Sequence, residues 1–183
     1  MEEKMKRLCE YFEYDKPRSY GSYSSTPPVL YPQERDWTCS VACIRTILSA
    51  LDKRVPSENE FIDRFGLVKG PHYTEEICKK QMFGSDKKVV SSLDYDTGDI
   101  NLKLLNNLLK QKYFVMAECL YNYAHWVVIV GYFAVKGARS REEHTIAFFE
   151  PYYNEIRLVR ADEFETMWCD AEGHCREFIA VKR

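Results

Sequence analysis

One stretch of the chain decides the fold that we predict: Gln33-Glu34-Arg35-Asp36-Trp37-Thr38-Cys39-Ser40-Val41-Ala42-Cys43. This stretch should begin an α-helix, because apolar residues recur from it at steps of three and four. Asp36 is a residue type preferred at the N-cap, and capping there would place Cys39 in the first helical turn, at the third position. The apolar residues that would form one buried helix face are Val41, Ile44, Leu48 and Leu51.

Cys39 is a candidate nucleophile in this position. A thiol attacks a carbonyl as the thiolate, and the start of a helix is one of the few places that favours this anion. Gln33 lies six residues upstream, where its amide could donate to the oxyanion that such an attack creates. The nucleophile also needs a base, and His125 opens an apolar run that ends at Tyr132. The sequence therefore predicts an enzyme with a cysteine nucleophile.

These segments, together with Phe148-Phe149-Glu150-Pro151, resemble the papain-like cysteine peptidases. The resemblance points to the bacteriocin-processing peptidase C39-like branch, which is similar in turn to the proteins catalogued as guanylyl cyclase domain containing. That pattern has a Gln, a Cys six residues later at a helix start, a His opening an apolar strand, and an Asp or Asn before Pro. Gln33, Cys39 and His125 match it. Glu150 stands where the family has Asp or Asn, and Ser40 where it often has Gly.

The resemblance implies a role for each matched residue. Cys39 would be the nucleophile, His125 the base, Gln33 an oxyanion donor and Glu150 the acid that orients His125, with no cofactor required. Asn154 is the alternative to Glu150 as the orienting residue. Four residues close to these in sequence are candidates for contacting the substrate, although core packing explains the two tryptophans more simply: Trp37, Ser40, Trp126 and Asn154.

Composition and charge limit the partners that we expect. The 183 residues carry a net charge of −2 and no basic run, so nucleic acid is not a predicted partner. No apolar stretch approaches the ~20 residues that span a membrane, and the charged N-terminus is not followed by the apolar run of a signal peptide. We therefore expect a cytoplasmic protein that acts on a peptide or protein substrate. Delivery to another cell by a route without a signal stays open, as does the oligomeric state.

Seven cysteines, an odd number without a framework spacing, predict free thiols rather than disulfides. Cys43 should be a buried structural thiol, and the histidines other than His125 (His72, His144 and His174) should lie at the surface. A structural zinc held by Cys169, His174, Cys175 and a fourth ligand is a weaker alternative, because the spacing matches no common ligand pair.

The period of the apolar residues changes along the chain, which predicts an α+β fold of one domain over residues 29–183 behind an N-terminal arm of residues 1–28. Its helical N-terminal half would pack on an antiparallel β-sheet in the C-terminal half, in the papain-like arrangement that the resemblance implies. The predicted helices are Lys4–Phe12, the Cys39 helix, one opened by a Ser57–Glu60 capping box and stopped by Gly66, Thr74–Phe83, Ile100–Gln111 capped by Asp99, and Asp162–Trp168. The predicted strands are Tyr113–Leu120, His125–Ala134, Thr145–Glu150, Glu155–Arg160 and Glu177–Lys182.

The pattern leaves three other functions open. The same cysteine, histidine and acid could catalyse acyl transfer, deamidation or transglutamination. Ser40 and Glu150, which depart from the family pattern, suggest a binding module with a vestigial site. Nucleotide cyclisation is suggested only by the name of the related family, and the sequence contains no glycine-rich phosphate loop or carboxylate pair that could hold two metal ions.

Overall fold

The computed structural model describes residues 28–52, 54–120, 124–133, 144–168 and 176–183. The helices in these residues are α1 (Cys39–Leu51), α2 (Glu58–Phe65), α3 (Thr74–Lys79), α4 (Leu102–Lys110) and α5 (Ala161–Met167). The strands are β1 (Lys88–Ser91), β2 (Phe114–Leu120), β3 (Ala124–Phe133), β4 (Thr145–Glu150), β5 (Glu155–Arg160) and β6 (Phe178–Lys182). Short 3₁₀ turns cover Ser92–Asp94 and Thr97–Asp99.

The strands form one antiparallel sheet in the order β1-β6-β2-β3-β4-β5. Strand β3 lies between β2 and β4, with His125 opposite Cys119 on β2. Glu150 is the last residue of β4 and pairs with Glu155, so a turn of four residues joins β4 to β5. The first residues of β3 and the last residue of β4 therefore belong to the central part of the sheet.

Helices cover both faces of the sheet. Successive side chains of a strand point to opposite faces. On β3, Trp126 and Val128 accordingly pack with residues of α1, α2 and α3, whereas Val127 and Ile129 pack with α4 and α5. The prediction of an α+β fold with an antiparallel sheet is confirmed. The predicted packing of one helical half on one sheet half is refined, because α4 and α5 lie on the face of the sheet away from α1.

Helix α1 begins at Cys39 and is buried along most of its length, where it packs on β3. Its N-cap is Thr38, so the prediction of an Asp36 cap is wrong and Cys39 is the first helical residue rather than the third. The Asp36 carboxylate instead forms an ion pair with Lys69 at 3.0 Å. The Thr38 hydroxyl accepts the Arg35 N–H and donates to the Arg35 carbonyl oxygen, both at 3.1 Å, and this closes the turn before the helix.

The ends of α2 were predicted correctly. Ser57 Oγ accepts the Glu60 N–H at 3.2 Å, and Glu60 Oε2 accepts the Ser57 N–H at 2.7 Å, which completes the capping box. Gly66 ends the helix in the left-handed conformation, with φ 57°. The capping box and Gly66 therefore set the two ends of α2 through local backbone features.

Apart from shifts of one or two residues at the ends of several elements, three other features differ from prediction. Helix α3 ends at Lys79 rather than at Phe83, and the chain then turns through left-handed Gln81 and Gly84. Helix α4 is capped by Asn101, whose Oδ1 accepts the N–H groups of the next helical residues, and not by Asp99. The edge strand β1 was not predicted.

Some predictions lie outside the described residues, among them the Lys4–Phe12 helix and the zinc site built on Cys169, His174 and Cys175. Within the described parts of the chain, no group of His, Cys, Asp and Glu side chains could hold a metal ion. Among the same residues, no helix has the length and apolar character needed to cross a membrane.

Candidate active site

The start of α1, the start of β3 and the end of β4 bring together Cys39, His125 and Glu150. His125 Nε2 lies 2.6 Å from Glu150 Oε1, and both side chains are almost fully buried, with the two residues 2% exposed. The Cys39 side chain also forms a hydrogen bond with His125. Since Nε2 faces Glu150, Nδ1 is the ring nitrogen left for the sulfur. Cys39 is only half-buried, so it is the member of this group that is open to solvent.

Glu150 is held in place by a second hydrogen bond. Its Oε1 accepts the backbone N–H of Tyr152 at 2.8 Å, in the turn that follows β4. A buried carboxylate is costly unless its oxygens are hydrogen-bonded, and here the histidine and the amide share that task. The turn thus fixes the orientation of the carboxylate toward His125.

These contacts make His125 a strong base. Burial lowers the pKa of His125, but hydrogen bonds with Cys39 and Glu150 and the negative charges of both groups raise it, with a net shift from 6.5 to about 9. At neutral pH the His125 ring is therefore protonated. An imidazolium beside a thiolate is the ion pair that a cysteine nucleophile requires.

Gln33 lies against the same part of the sheet. Its backbone N–H donates to the Pro151 carbonyl oxygen at 3.1 Å, directly after Glu150. Its side-chain Nε2 donates to the Arg35 carbonyl oxygen at 2.8 Å, which leaves the second hydrogen of that nitrogen unused by this bond. Gln33 Oε1 is buried and has no hydrogen-bond partner among the described residues.

The segment between Gln33 and Cys39 is anchored from α1 and α2. The Glu58 side chain, which is fully buried, accepts the Glu34 N–H at 3.0 Å and pairs with the Arg35 guanidinium at 3.4 Å. Arg45 pairs with the Glu34 carboxylate at 2.8 Å. The sequence does not predict these contacts of Glu58, because an acidic residue in a first helical turn is common at the surface.

The four candidate substrate-contacting residues lie in different environments. Ser40 is buried and its hydroxyl is hydrogen-bonded to His72 Nδ1 at 3.0 Å. Trp126 is also buried, and its indole N–H donates to the His72 carbonyl oxygen at 2.9 Å. Trp37 is half-buried, whereas Asn154 is exposed in the turn after β4, with φ 52°. In this arrangement Glu150 contacts His125.

His72 corrects one prediction. It was expected at the surface, but it is only 4% exposed. Its Nε2 donates to the Val68 carbonyl oxygen at 3.2 Å. A loop residue next to a proline gives no sequence signal of burial, so only the packing of the loop on α1 reveals the position of its ring.

The structure resembles the crystal structure of UfSP from C. elegans, a cysteine protease. The match has a TM-score of 0.52 and 12% sequence identity, and it covers 88% of this chain. This chain has a papain-like fold. It spans only 34% of the length of UfSP, so the likeness concerns the fold of one part of that protein. The sequence matches no known family profile and no curated protein.

Besides Cys39, the described part of this papain-like fold contains three free thiols, two of them buried and one half-buried. Cys43 and Cys119 are buried, and Cys43 Sγ lies 3.3 Å from the Trp126 carbonyl oxygen, to which it donates. Burial, and to a smaller extent the charges of Cys39, Glu150 and Cys119, raise the pKa of Cys43 well above its usual range. Cys78 is half-buried, as Cys39 is, and its pKa is also raised, chiefly by burial. The thiols of Cys43 and Cys78 therefore stay protonated at neutral pH.

Proposed function

We propose that the protein is a papain-like thiol hydrolase, and specifically a peptidase that cleaves a peptide or isopeptide bond of a protein substrate. The observation that supports this proposal is the position of His125, which is hydrogen-bonded to Cys39 on one side and to Glu150 on the other. This is the arrangement of nucleophile, base and orienting acid that acyl transfer requires.

In the first step the Cys39 thiolate attacks the carbonyl carbon of the scissile bond. The carbonyl π electrons move to the oxygen, and the amide group of Gln33 and the backbone N–H of Cys39 would donate hydrogen bonds to it. The N–H of a first helical residue has no partner within its own helix, so it is free for this role. When the tetrahedral intermediate collapses, the C–N bond breaks and His125 gives its proton to the leaving amine.

In the second step a water molecule attacks the resulting thioester. His125, now neutral, takes a proton from this water and becomes an imidazolium again. Collapse of the second intermediate breaks the C–S bond, which releases the acid product and restores the Cys39 thiolate beside protonated His125. Glu150 holds the ring in the same tautomer throughout, because Nε2 keeps its proton toward the carboxylate.

We also propose a place within the superfamily. The spacing of Gln33, Cys39 and His125 and the strand that His125 opens support the peptidase C39-like branch. Glu150 extends the family pattern, since a longer acid at this position contacts the base as an Asp or Asn would. The likeness to UfSP supports a cysteine protease with a protein substrate.

Selective labelling of the cysteines tests the proposal. The protein is treated with iodoacetamide at about pH 6 to 7, where unperturbed thiols are mostly protonated, and each cysteine is quantified by mass spectrometry. We expect Cys39 to react fastest, and Cys78 is the internal control because it is half-buried to a similar degree. Labelling of Cys39 that is no faster than that of Cys78 would reject an activated nucleophile.

Substrate profiling separates hydrolysis from the related transfer reactions. A peptide library is incubated with the protein in the presence and absence of an added amine, and the products are identified by mass. A peptidase gives free acids, whereas an acyltransferase or transglutaminase gives amides of the added amine. A deamidase releases ammonia without cutting the chain. A partner interaction that survives Cys39→Ala, combined with no turnover, would indicate a binding module.

A further inference from the structure

His72 is a buried histidine that the proposed reaction does not use. It lies in the loop between α2 and α3, and three of its polar atoms are hydrogen-bonded. Nδ1 faces Ser40 Oγ at 3.0 Å, Nε2 faces the Val68 carbonyl oxygen at 3.2 Å, and its own carbonyl oxygen accepts the Trp126 indole N–H at 2.9 Å. Through these three hydrogen bonds His72 connects its own loop with helix α1 and strand β3.

The partners fix the state of the ring. The Val68 carbonyl oxygen can only accept, so Nε2 carries the proton. In the tautomer with its proton on Nε2 alone, Nδ1 accepts the Ser40 hydroxyl. Both ring nitrogens of His72 thus have a hydrogen-bond partner, and the edge of the ring also contacts Trp37, with centroids 5.6 Å apart.

The residues that His72 contacts are the sequence neighbours of the proposed catalytic pair. Ser40 follows Cys39 at the start of α1, and Trp126 follows His125 at the start of β3. These two elements form the two sides of the site. His72 is hydrogen-bonded to both, through its side chain to α1 and through its backbone to β3.

We propose that His72 is a positioning residue that fixes the separation between Cys39 and His125. This inference rests on the proposed function. The attacking sulfur and its base must stay within hydrogen-bond reach, and a displacement of about 1 Å can reduce the rate about 10²-fold. His72 would oppose such a displacement, because a movement of α1 against β3 breaks its bonds to Ser40 or to Trp126.

The test compares His72→Leu with His72→Asn. Leucine fills a similar volume but leaves the Ser40 hydroxyl without its acceptor, whereas asparagine offers Oδ1 near the position of Nδ1. We expect His72→Leu to lower kcat by about 10- to 100-fold with little change in KM, and to slow labelling of Cys39 by iodoacetamide. We expect His72→Asn to recover most of both losses. His144→Leu is the matched control, because His144 is a half-buried histidine that bonds Tyr132 away from the site.

A cooperatively folded His72→Leu protein with unchanged kcat and unchanged Cys39 labelling would overturn the inference. Equal losses in His72→Leu and His72→Asn, or an equal loss in His144→Leu, would also overturn it. If His72→Leu does not fold, Ser40→Ala decides, since it removes the same hydrogen bond from the other side. A lower kcat in Ser40→Ala supports the inference, and an unchanged kcat rejects it.

Failure of the proposed function gives a different result. In that case Cys39 of the unsubstituted protein would react no faster than Cys78. A fast Cys39 in the unsubstituted protein, together with an equally fast Cys39 in both His72 variants, would overturn only the role of His72.

Discussion

Among individual residues, Glu150 shows how a turn can position a long acidic side chain. A glutamate is one methylene longer than an aspartate, and its Oε1 lies 2.6 Å from His125 Nε2. The N–H of Tyr152 binds the same oxygen, which restricts the longer side chain to one direction. The short turn after β4 therefore compensates for the extra length.

The pH dependence of the proposed hydrolysis should depend on Glu150. Because the folded protein raises the pKa of His125 to about 9, the imidazolium that protonates the leaving amine is present below that pH and is lost as the pH rises through it. Glu150→Gln removes one of the two negative charges that raise this pKa. The alkaline fall in kcat should therefore move to lower pH, which a pH–rate profile measures. An alkaline limb at the same pH in both proteins would contradict this account.

Gln33 should matter to turnover but not to the reactivity of the thiol. Removal of one oxyanion donor costs about 10²–10³ in kcat, so Gln33→Ala should be a severe but incomplete lesion. Labelling of Cys39 should stay fast, because His125 and Glu150 are intact. Steady-state kinetics and labelling measure the two effects, and the exposed Gln111→Ala is the matched control. Loss of fast labelling in Gln33→Ala would assign Gln33 to a different role.

The residues of the candidate site could be predicted from the sequence, but the residues that surround it could not. Gln33, Cys39, His125 and Glu150 were selected from residue type and spacing, and the fold brings the last three into contact. The roles of Glu58 and His72 were missed. Both residues contact the segment around Cys39 from elements that are distant in sequence, and local patterns contain no information about such contacts.

Among secondary-structure elements, boundaries were predictable where local hydrogen bonds set them. Helix α2 begins at a capping box and ends at a left-handed glycine, and both features can be identified in the sequence. The start of α1 was misplaced: Thr38 closes a turn with Arg35 directly before the helix, and the Asp36 carboxylate pairs with Lys69 instead of capping it.

The capping box of α2 should contribute measurably to stability. Ser57→Ala leaves the Glu60 N–H without its acceptor, which typically lowers the free energy of unfolding by about 1 kcal/mol. For a chain of this length that corresponds to a fall in Tm of about 2–4 °C. Thermal denaturation followed by circular dichroism measures it, with the exposed Ser85→Ala as the control. Equal melting temperatures for Ser57→Ala and the unsubstituted protein would show that the box contributes little.

At the level of the whole molecule, the sheet separates two apolar cores. One core lies between the sheet and α1, and the other lies between the sheet and α4 with α5. Strand β1 was missed because it has only four residues and its partner β6 is close to the C-terminal end of the sequence. Pairing over such a distance is a property of the complete fold.

A cavity in the core between the sheet and helices α4 and α5 should reduce the stability of the protein without altering the reactivity of the Cys39 thiol. Leu105 on α4 is 1% exposed, so Leu105→Ala should lower the free energy of unfolding by about 2–5 kcal/mol. The rate of Cys39 labelling in the folded fraction should stay the same, because the sheet lies between the two sites. Ile47→Ala on α1 is the comparison, and there both quantities should change. Slower Cys39 labelling in Leu105→Ala would show that the cores are coupled.

The backbone hydrogen bond between Gln33 and Pro151 has a consequence for biosynthesis. It joins the segment before Cys39 to the turn after β4, which the ribosome makes much later, and the acid beside Pro151 appears at the same time. During translation the Cys39 thiol would therefore lack its proposed partners until the end of β4 has emerged. The order of synthesis would then delay any activity that depends on all three residues.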